Sequence, residues 1–200
     1  MGIDLAHSAG QTPLDEDEKD GLLIKALSTK AELDEFEQRN IEDAVEWSLQ
    51  HRGLKVEQIL TEKFLRNLHR RMFGEVWRWA GQFRATNKNL GVDKTCIVSE
   101  IHKLLADCRY WIDQAVFPKD EIAVRFKHRL VSAHPFVNGN GRHSRLMADI
   151  LISSGLGLPV FNWGGAVLNA RSKIREQYLQ ALRAADSRDY APLLSFARQK

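Results

Sequence analysis

The 200-residue chain is predicted to adopt an all-α fold, a helical bundle around a central helix–loop–helix, with one small β-hairpin. Apolar residues recur at helical spacing over most of the chain, which is the main signal for amphipathic helices. Helix-capping patterns stand before several of these stretches. Residues that favour strands are concentrated in one short run around residue 95. Together these observations predict about seven helices and a single hairpin.

Residues 1–27 are expected to form an irregular N-terminal arm, because proline, glycine and a run of acidic residues interrupt any apolar period. Residues 28–200 are assigned to one domain. Its first long helix should begin after Thr29, since Thr29 and Glu32 form the Ser/Thr-x-x-Glu capping-box pattern. The apolar stripe of this helix contains Leu33, Phe36, Ile41, Ala44, Val45 and Leu49.

A second helix is expected from Thr61 to about Trp79, where the segment Trp79-Ala80-Gly81-Gln82-Phe83-Arg84 begins. Residues 85–98 combine asparagine and glycine turn formers with a β-favouring run at 95–98. We predict a hairpin over residues 85–98, and a plain surface loop is the alternative. Ser99 should cap the helix that follows.

The helix that starts at Asp120 should end near Ala133, because Pro135 disfavours helical geometry at His134. His134 is therefore expected at a helix end rather than on a solvated face. Three further helices are predicted from the apolar spacing, and they cover Arg142 to Ile152, Asn169 to Ala185 and Asp189 to Arg198.

The turn between the two central helices lies within the sequence His134-Pro135-Phe136-Val137-Asn138-Gly139-Asn140-Gly141-Arg142-His143-Ser144-Arg145. Its two glycines permit backbone angles that other residues resist and let a ligand approach closely. A glycine turn that opens a helix directs free N–H groups and the positive end of the helix dipole towards one point, which suits an anion. Arg142 and Arg145 both reach the same side of the first turn, and guanidinium groups bind phosphate oxygens in pairs.

Each of these features alone has a simpler explanation. A lone Gly-x-Gly is usually a turn, and a lone histidine near a helix end is usually a capping or core residue. The Gly-x-x-x-x-Gly-Lys-Ser/Thr phosphate loop and the Gly-x-Gly-x-x-Gly dinucleotide motif are both absent. The co-occurrence of a histidine, two glycines and two arginines favours a polyphosphate site beside a group that can remove a proton.

This stretch resembles the signature of the Fic (Fic/Doc) family, His-Pro-Phe-x-Asp/Glu-Gly-Asn-Gly-Arg-x-x-Arg. Eight of the nine specified positions match, and Asn138 occupies the ninth, where the family usually has an acid. The segment Trp79–Arg84 also resembles the Trp-Ala-Gly-x-x-Arg segment of Fic proteins. More loosely, the whole chain is similar to a small bacterial subgroup known as mobile mystery protein B.

The resemblance implies a protein adenylyltransferase, which transfers AMP from ATP to a hydroxyl group of a target protein. His134 would be the general base that takes the hydroxyl proton. The anion hole for the α- and β-phosphates would be formed by Gly139, Asn140 and Gly141. The outer phosphates would be neutralised by Arg142 and Arg145. In the family, the hairpin corresponding to residues 85–98 is a flap that pairs with an extended segment of the target protein.

An acid at the position of Asn138 would help to hold Mg²⁺ on the phosphates, because Mg²⁺ prefers carboxylate and phosphate oxygens. The amide of Asn138 can ligate the ion but supplies no charge. Three expectations therefore stay open: a Mg²⁺ ion held mainly by the nucleotide, slow turnover, or nucleotide binding without much chemistry.

Fic proteins also have an inhibitory helix, in which a glutamate contacts the second motif arginine and blocks the γ-phosphate. The usual pattern, Ser/Thr-x-x-x-Glu-Gly/Asn, is not reproduced cleanly here. Glu37 is the candidate regulatory residue, although Leu33 and Gln38 break the pattern around it. Glu32 is the second candidate, because it follows Ser28 at the correct spacing. A simple boundary role in helix packing is the alternative for Glu37.

The formal net charge of +3 is small, and the basic residues are spread among acids, so no nucleic-acid partner is expected. The two cysteines form no close pair, which argues against a disulfide scaffold or a zinc site. No stretch has the length of a membrane span, and no secretory signal is visible, so a cytoplasmic location is expected. The expected partners are a nucleotide and a target protein, and the oligomeric state is not indicated.

Two other functions stay open. A Doc-type relative would transfer the γ-phosphate instead of AMP, but such relatives lack the full Gly-Asn-Gly run that this chain has. A nucleotide-responsive binding or antitoxin-like module is the non-enzymatic hypothesis, and the amide at Asn138 motivates it.

Overall fold

The structure, a computed structural model, describes residues 16–27, 29–51, 53–164 and 173–199. The prediction of an all-α fold is confirmed. The helices are α1 (Glu16–Lys19), α2 (Lys30–Gln50), α3 (Val56–Ile59), α4 (Glu62–Phe73), α5 (Ile97–Asp113), α6 (Lys119–Ala133), α7 (Asn140–Ile150), α8 (Lys173–Asp186) and α9 (Ala191–Arg198). A 3-10 turn at Lys94–Cys96 precedes α5, and a π-helical turn at Leu151–Gly155 extends α7. Within the described ranges, no helix is both long and apolar enough to cross a bilayer.

The central pair is α6 and α7, which pack against each other on either side of the turn at residues 134–139. Helix α5 packs on α6, α4 packs on α7, and α2 lies on the outer side of α4. The core between them contains fully buried side chains such as Leu68, Met72, Phe126, Leu130 and Met147. Each such side chain contributes roughly 1.5–3 kcal/mol to folding, so the turn lies on a rigid support.

The predicted start of the first long helix is correct. The Thr29 hydroxyl accepts a hydrogen bond from the Glu32 backbone N–H (3.2 Å), and the Glu32 carboxylate accepts one from the Thr29 N–H (3.0 Å). Further along α2, the buried Asn40 side chain donates to the carbonyl of Arg71 (2.7 Å) and accepts from the N–H of Glu75 (3.1 Å). These two bonds fix the register of α2 against the end of α4.

Several predicted helix boundaries were wrong. Helix α4 ends at Phe73 instead of Trp79, and Val76 and Trp77 are buried in the turn that follows. Helix α5 begins at Ile97, before the predicted cap Ser99, because Asp93 caps the preceding 3-10 turn. Helix α6 begins one residue before Asp120, with Pro118 at the capping position, and α7 begins at Asn140, two residues before Arg142.

Some predictions fall outside the described residues. They concern residues 1–15 of the arm and the expected helix start at Asn169. The described part of the arm contacts the turn after α4: the N–H of Leu23 donates to the carbonyl of Val76 (2.9 Å), and the N–H of Arg78 donates to the carbonyl of Gly21 (2.8 Å). The Glu18 carboxylate reaches Lys88 and Thr86, so it holds the segment 85–98 from outside.

The predicted hairpin at residues 85–98 was wrong. The described residues contain no strand in this segment, and the isolated bridges are Leu22 with Trp77 and Phe83 with Phe136. The Arg84 guanidinium donates to the carbonyls of Thr86 and Val92, on opposite sides of the loop. The loop is therefore held together by side-chain hydrogen bonds from the buried Arg84, and not by a ladder of backbone hydrogen bonds between two strands.

Candidate active site

His134 lies at the C-terminal cap of α6 in the left-handed region of backbone space (φ 51°). This conformation is uncommon for a residue other than glycine, and it is found where the surroundings enforce it. His134 is buried, with 7% of its surface exposed, and Gly91 of the segment 85–98 lies against its Cβ. A Cβ at Gly91 would come within 2.5 Å of the His134 Cβ, so this close approach requires glycine.

Three consecutive backbone carbonyls around His134 accept hydrogen bonds from the segment 84–92. The Val92 N–H donates to Ala133 (3.3 Å), and the Arg84 N–H donates to Pro135 (2.9 Å). The Arg84 side chain donates through Nε to the carbonyl of His134 (2.7 Å). The left-handed corner is thus fixed from three sides.

The electrostatic setting of His134 favours the neutral imidazole. Burial lowers its pKa to about 4, and the positive charges of Arg84 and Lys88 act in the same direction. A hydrogen bond to the backbone of Val131 opposes them but does not outweigh them. At neutral pH the ring is therefore unprotonated and able to accept a proton.

Gly139 and Asn140 shape the turn in different ways. Gly139 takes the left-handed conformation (φ 76°), and a Cβ there would collide with the ring of Phe73. The Asn140 side chain is buried and bonds internally, since it accepts from the N–H of Phe136 (2.9 Å) and donates to the carbonyl of Phe136 (2.8 Å). Asn140 can therefore offer an anion only its backbone N–H, while its side chain holds the turn closed.

At the N-terminus of α7, Gly141 faces open space among the described residues. A Cβ built there would meet none of their atoms within 4 Å outside its own helix backbone and chain neighbours. The first N–H groups of a helix have no partners inside the helix, and the first α7 residue bonded back to the turn is His143, whose N–H donates to the carbonyl of Gly139 (2.9 Å). This end of α7 can therefore receive an anion from the solvent side.

His69 supports the turn from below. Its Nδ1 accepts from the N–H of Gly81 (3.0 Å), so the proton is on Nε2, which donates to the carbonyl of Asn138 (3.0 Å). Its ring stacks on Phe136 with the ring centroids 3.7 Å apart. Burial lowers the pKa of His69 well below its ordinary value, so this tautomer stays neutral. From the sequence, His69 was expected only as a core residue. The apolar spacing of α4 gives no sign of its partner, Asn138, which lies in the turn before α7.

The two motif arginines point to different neighbours. Arg142 forms an ion pair with Glu37 of α2 (2.6 Å) and lies over the ring of Phe73. The same Glu37 carboxylate accepts a bond from the indole N–H of Trp77 (2.7 Å). Of the two candidate glutamates, Glu37 thus reaches the motif, whereas Glu32 serves as the capping residue of α2. The contact is made with the first motif arginine, which differs from the expected contact with the second.

Arg145, three residues after Arg142 on α7, has a different neighbour, since its guanidinium lies 5.5 Å from the ring centre of Tyr178. The Tyr178 hydroxyl also accepts a hydrogen bond from the fully buried ammonium of Lys127. Burial alone would raise the pKa of Tyr178, but Lys127 and Arg145 outweigh it and lower this pKa. Arg145 therefore stands beside a phenol and a second cation.

Asp149, one turn further along α7, completes this side of the site. Its carboxylate accepts from the indole N–H of Trp163 (3.1 Å) and from the N–H of Phe161 (3.2 Å). Burial nevertheless raises its pKa to about 7. Asp149 is thus largely protonated below neutral pH, when it gives Arg145 little compensating charge.

The turn does not fit a Mg²⁺ ion held by the protein. The amide oxygen of Asn138 accepts a bond from the N–H of Gly139 (2.6 Å), so it is engaged in the turn itself. Across the part of the chain that the structure describes, no three His, Cys, Asp or Glu side chains gather as a metal site would require. The turn at residues 134–141 contains no Asp or Glu, so it supplies none of the carboxylate ligands that Mg²⁺ prefers.

A cavity of about 910 Å³ lies away from the motif, between α2 and α4. It is lined by residues such as Trp47, Phe64 and Arg71, and by none of the residues of the turn. The Arg71 guanidinium covers the ring of Trp47, at 4.3 Å from the ring centre. The cavity therefore borders the helix that carries Glu37 and is separate from the anion site.

The arrangement defines a class of protein: a helix–loop–helix with a base at one helix end and an anion site at the next helix start. Comparison with known families agrees. Residues 59–152, just under half of the chain, match the model of the Fic/DOC family, so this part of the chain is similar to Fic/DOC domains.

The chain is similar to proteins named as protein adenylyltransferase Fic. It is 28% identical to the one from Drosophila grimshawi over 142 residues, which are 68% of this chain and 28% of the relative. It is 24% identical to the one from Nematostella vectensis over 175 residues, which are 86% of this chain and 39% of the relative. The chain thus spans well under half the length of these curated relatives.

Solved structures show the same fold at lower identity. The N-terminal Fic domain of a Bartonella effector protein from Bartonella sp. AR 15-3 matches with a TM-score of 0.66 at 15% identity, over 86% of this chain and 83% of that one. The BepC protein from Bartonella tribocorum, with bound AMPPNP, matches with a TM-score of 0.63 at 18% identity, over 92% of this chain and 97% of that one.

Proposed function

We propose that this protein is a protein adenylyltransferase, which transfers AMP from ATP to a hydroxyl side chain of a target protein. The observation that carries the proposal is the placement of His134. It is a neutral imidazole held at the end of α6, next to the open N-terminus of α7. The names of the curated relatives support the same activity.

The chemistry requires one base and one anion site. The oxygen of the target hydroxyl would bond to the α-phosphorus of ATP, and the bond from that phosphorus to the bridging oxygen would break. Pyrophosphate would leave, and His134 would take the hydroxyl proton. The N–H groups of Gly141 and its neighbours would stabilise the negative charge on the phosphate oxygens.

The nucleotide would extend from this turn towards the two arginines. Arg142 and Arg145 flank the first turn of α7, and guanidinium groups match phosphate oxygens in charge and geometry. The likeness in fold to a protein solved with AMPPNP, an analogue of ATP, supports this position for the nucleotide. Because Asn138 is engaged with Gly139, Mg²⁺ is proposed only as a companion of the nucleotide, bound by phosphate oxygens and neutralising their charge.

The described conformation is proposed to be a restrained one. Glu37 contacts Arg142 from α2, and its carboxylate would compete with a phosphate for the same guanidinium. We therefore assign Glu37 as a regulatory residue that acts through Arg142. Target proteins are proposed to dock on the segment 85–98, which lies over His134 at Gly91.

The test is transfer of label from ATP carrying an isotope at the α-phosphate, with candidate proteins as acceptors. The wild type should label a target, and His134→Ala should lower the rate by roughly 100-fold or more, which is the usual contribution of a positioned base. His102→Ala, at an exposed histidine of α5, is the matched control and should retain the rate. ATP affinity, measured by calorimetry, should be similar in all three proteins. Equal labelling by wild type and His134→Ala would falsify the assignment of the base.

The same experiment separates the rival functions. A mass gain of phosphate instead of AMP on the target would indicate a Doc-type phosphotransferase. Nucleotide binding without transfer, unchanged by Asn138→Asp, would indicate a binding or antitoxin-like module. We also propose a cytoplasmic location and membership of the mobile mystery protein B subgroup. The resemblance and the sequence features described above support these two proposals.

A further inference from the structure

Arg84 is a buried cation whose hydrogen bonds all go to backbone carbonyls. Its guanidinium donates to the carbonyls of His134 (2.7 Å), Thr86 (2.7 Å) and Val92. Only 3% of its surface is exposed. The Arg84 guanidinium thus connects the backbone at His134 to both sides of the loop at residues 85–92.

This bonding explains how His134 keeps its left-handed backbone. A residue other than glycine in that region costs of order 1 kcal/mol or more and persists only where its surroundings enforce it. The Arg84 Nε bond reaches the His134 carbonyl itself, while the Arg84 N–H holds the next carbonyl, that of Pro135.

We propose that Arg84 is a positioning residue for the transfer reaction, because it sets the direction of the His134 ring and ties that direction to the segment 85–92. This inference rests on the proposed function. A target strand that docks on the segment would move the carbonyls of Thr86 and Val92, and Arg84 would pass that movement to the base. The residue itself does not contact the nucleotide or the reacting atoms.

The geometry requires arginine rather than any cation. Three carbonyls in different directions need the fixed fork of a guanidinium, and the compact ammonium of lysine cannot bind all of them from one position. The charge matters separately, because Arg84 and Lys88 are the two cations that depress the proton affinity of His134. Substitution by lysine therefore tests geometry, and substitution by glutamine tests charge.

The experiment compares Arg84→Lys and Arg84→Gln with Arg66→Lys. Arg66 is the matched control, because its Nε also donates to a nearby carbonyl, that of Gly81 (2.9 Å), without touching the His134 corner. The measurements are kcat and KM for the target, the Kd for ATP, thermal unfolding, and an NMR titration of the His134 ring in the absence of substrate. His134→Ala identifies the ring signal.

Arg84→Lys should fold and bind ATP within about twofold of the wild type, while kcat falls roughly 100-fold, as expected for a misplacement of about 1 Å. Arg84→Gln should in addition move the His134 titration upwards from about pH 4 towards its ordinary value. Arg66→Lys should keep both kcat and the titration. The ring titration needs no transfer, so it separates this inference from a failure of the proposed function.

Three outcomes overturn the proposal. One is an Arg84→Lys protein with kcat close to that of the wild type. Another is a parallel loss of kcat and ATP affinity, or a variant that does not fold, since Arg84 would then be structural. The third is an unchanged His134 signal in both Arg84 variants.

Discussion

Arg142 and Arg145 are equivalent in the sequence motif, but the fold gives them opposite surroundings. Arg142 faces a carboxylate, since Glu37 lies at 2.6 Å. Arg145 faces the ring and hydroxyl of Tyr178, with the buried ammonium of Lys127 behind it, and among the described residues it forms no ion pair within 4 Å. One guanidinium is therefore neutralised at rest, whereas the other keeps its charge available. The difference shows that a residue of α2, Glu37, and not the motif itself, decides how much positive charge Arg142 presents at the start of α7.

Removing the charge of Glu37 should have the largest effect on the difference between Arg142 and Arg145. Glu37→Gln keeps an oxygen that accepts from the Trp77 indole but no longer neutralises Arg142. We expect ATP affinity and the transfer rate to rise by roughly 10- to 100-fold, the usual range for coupling between sites. Calorimetry and initial rates measure the two effects.

Glu35→Gln is the control for this change, because Glu35 lies on the same helix and pairs with the exposed Arg39. It should leave ATP affinity unchanged. If Glu37→Gln and Glu35→Gln gave the same affinity, α2 would have no restraining role.

A second comparison exchanges each arginine for lysine. Arg145→Lys should weaken ATP binding about tenfold, because the paired hydrogen bonds to phosphate are lost. Arg142→Lys should cost less than about threefold while Glu37 is present, because that guanidinium is already engaged. In the Glu37→Gln background, the cost of Arg142→Lys should rise towards that of Arg145→Lys. Equal costs in the wild-type background would contradict the asymmetry.

The smallest effect concerns pH on the Arg145 side. The pKa of Asp149 rises from 3.8 to about 7 in the folded protein, so the native state binds the proton more tightly than the unfolded state. The free energy of unfolding should therefore fall as pH rises from about 4 to 7, and level off above that. Asp149→Asn should lack this slope and melt a few degrees higher than the wild type at pH 8, at roughly 2–4 °C per kcal/mol. Parallel melting curves for the two proteins between pH 5 and 8 would count against a buried proton at Asp149.

Local chemistry explains which parts of the fold were predictable. The Thr29 and Glu32 capping box marked the start of α2, because both partners lie within one helical turn. Pro135 marked the end of α6 for the same reason, since it acts on the residue directly before it. The glycine turn and the motif arginines were also recognisable, because their residues are consecutive in the chain.

The remaining features depend on partners that are distant in sequence. The hairpin at 85–98 was wrong because one side chain, Arg84, takes the carbonyls that a strand ladder would have used. The pairing of Glu37 with Arg142 joins residues 105 positions apart, so no local pattern contains it. Lys127 stands in the middle of an apolar helix face, and only the position of Tyr178 on α8 explains its burial.

Trp77 links the ion pair between Glu37 and Arg142 to the fluorescence of the protein. Its indole N–H is bonded to the same carboxylate that holds Arg142, and its ring stacks on Trp79 with the ring centroids 4.9 Å apart. Displacement of Glu37 by a phosphate would leave that indole without its charged acceptor. If nucleotide binds as proposed, the tryptophan fluorescence of the unlabelled protein should change, and Trp77 would report whether Arg142 is bound by Glu37 or by the nucleotide.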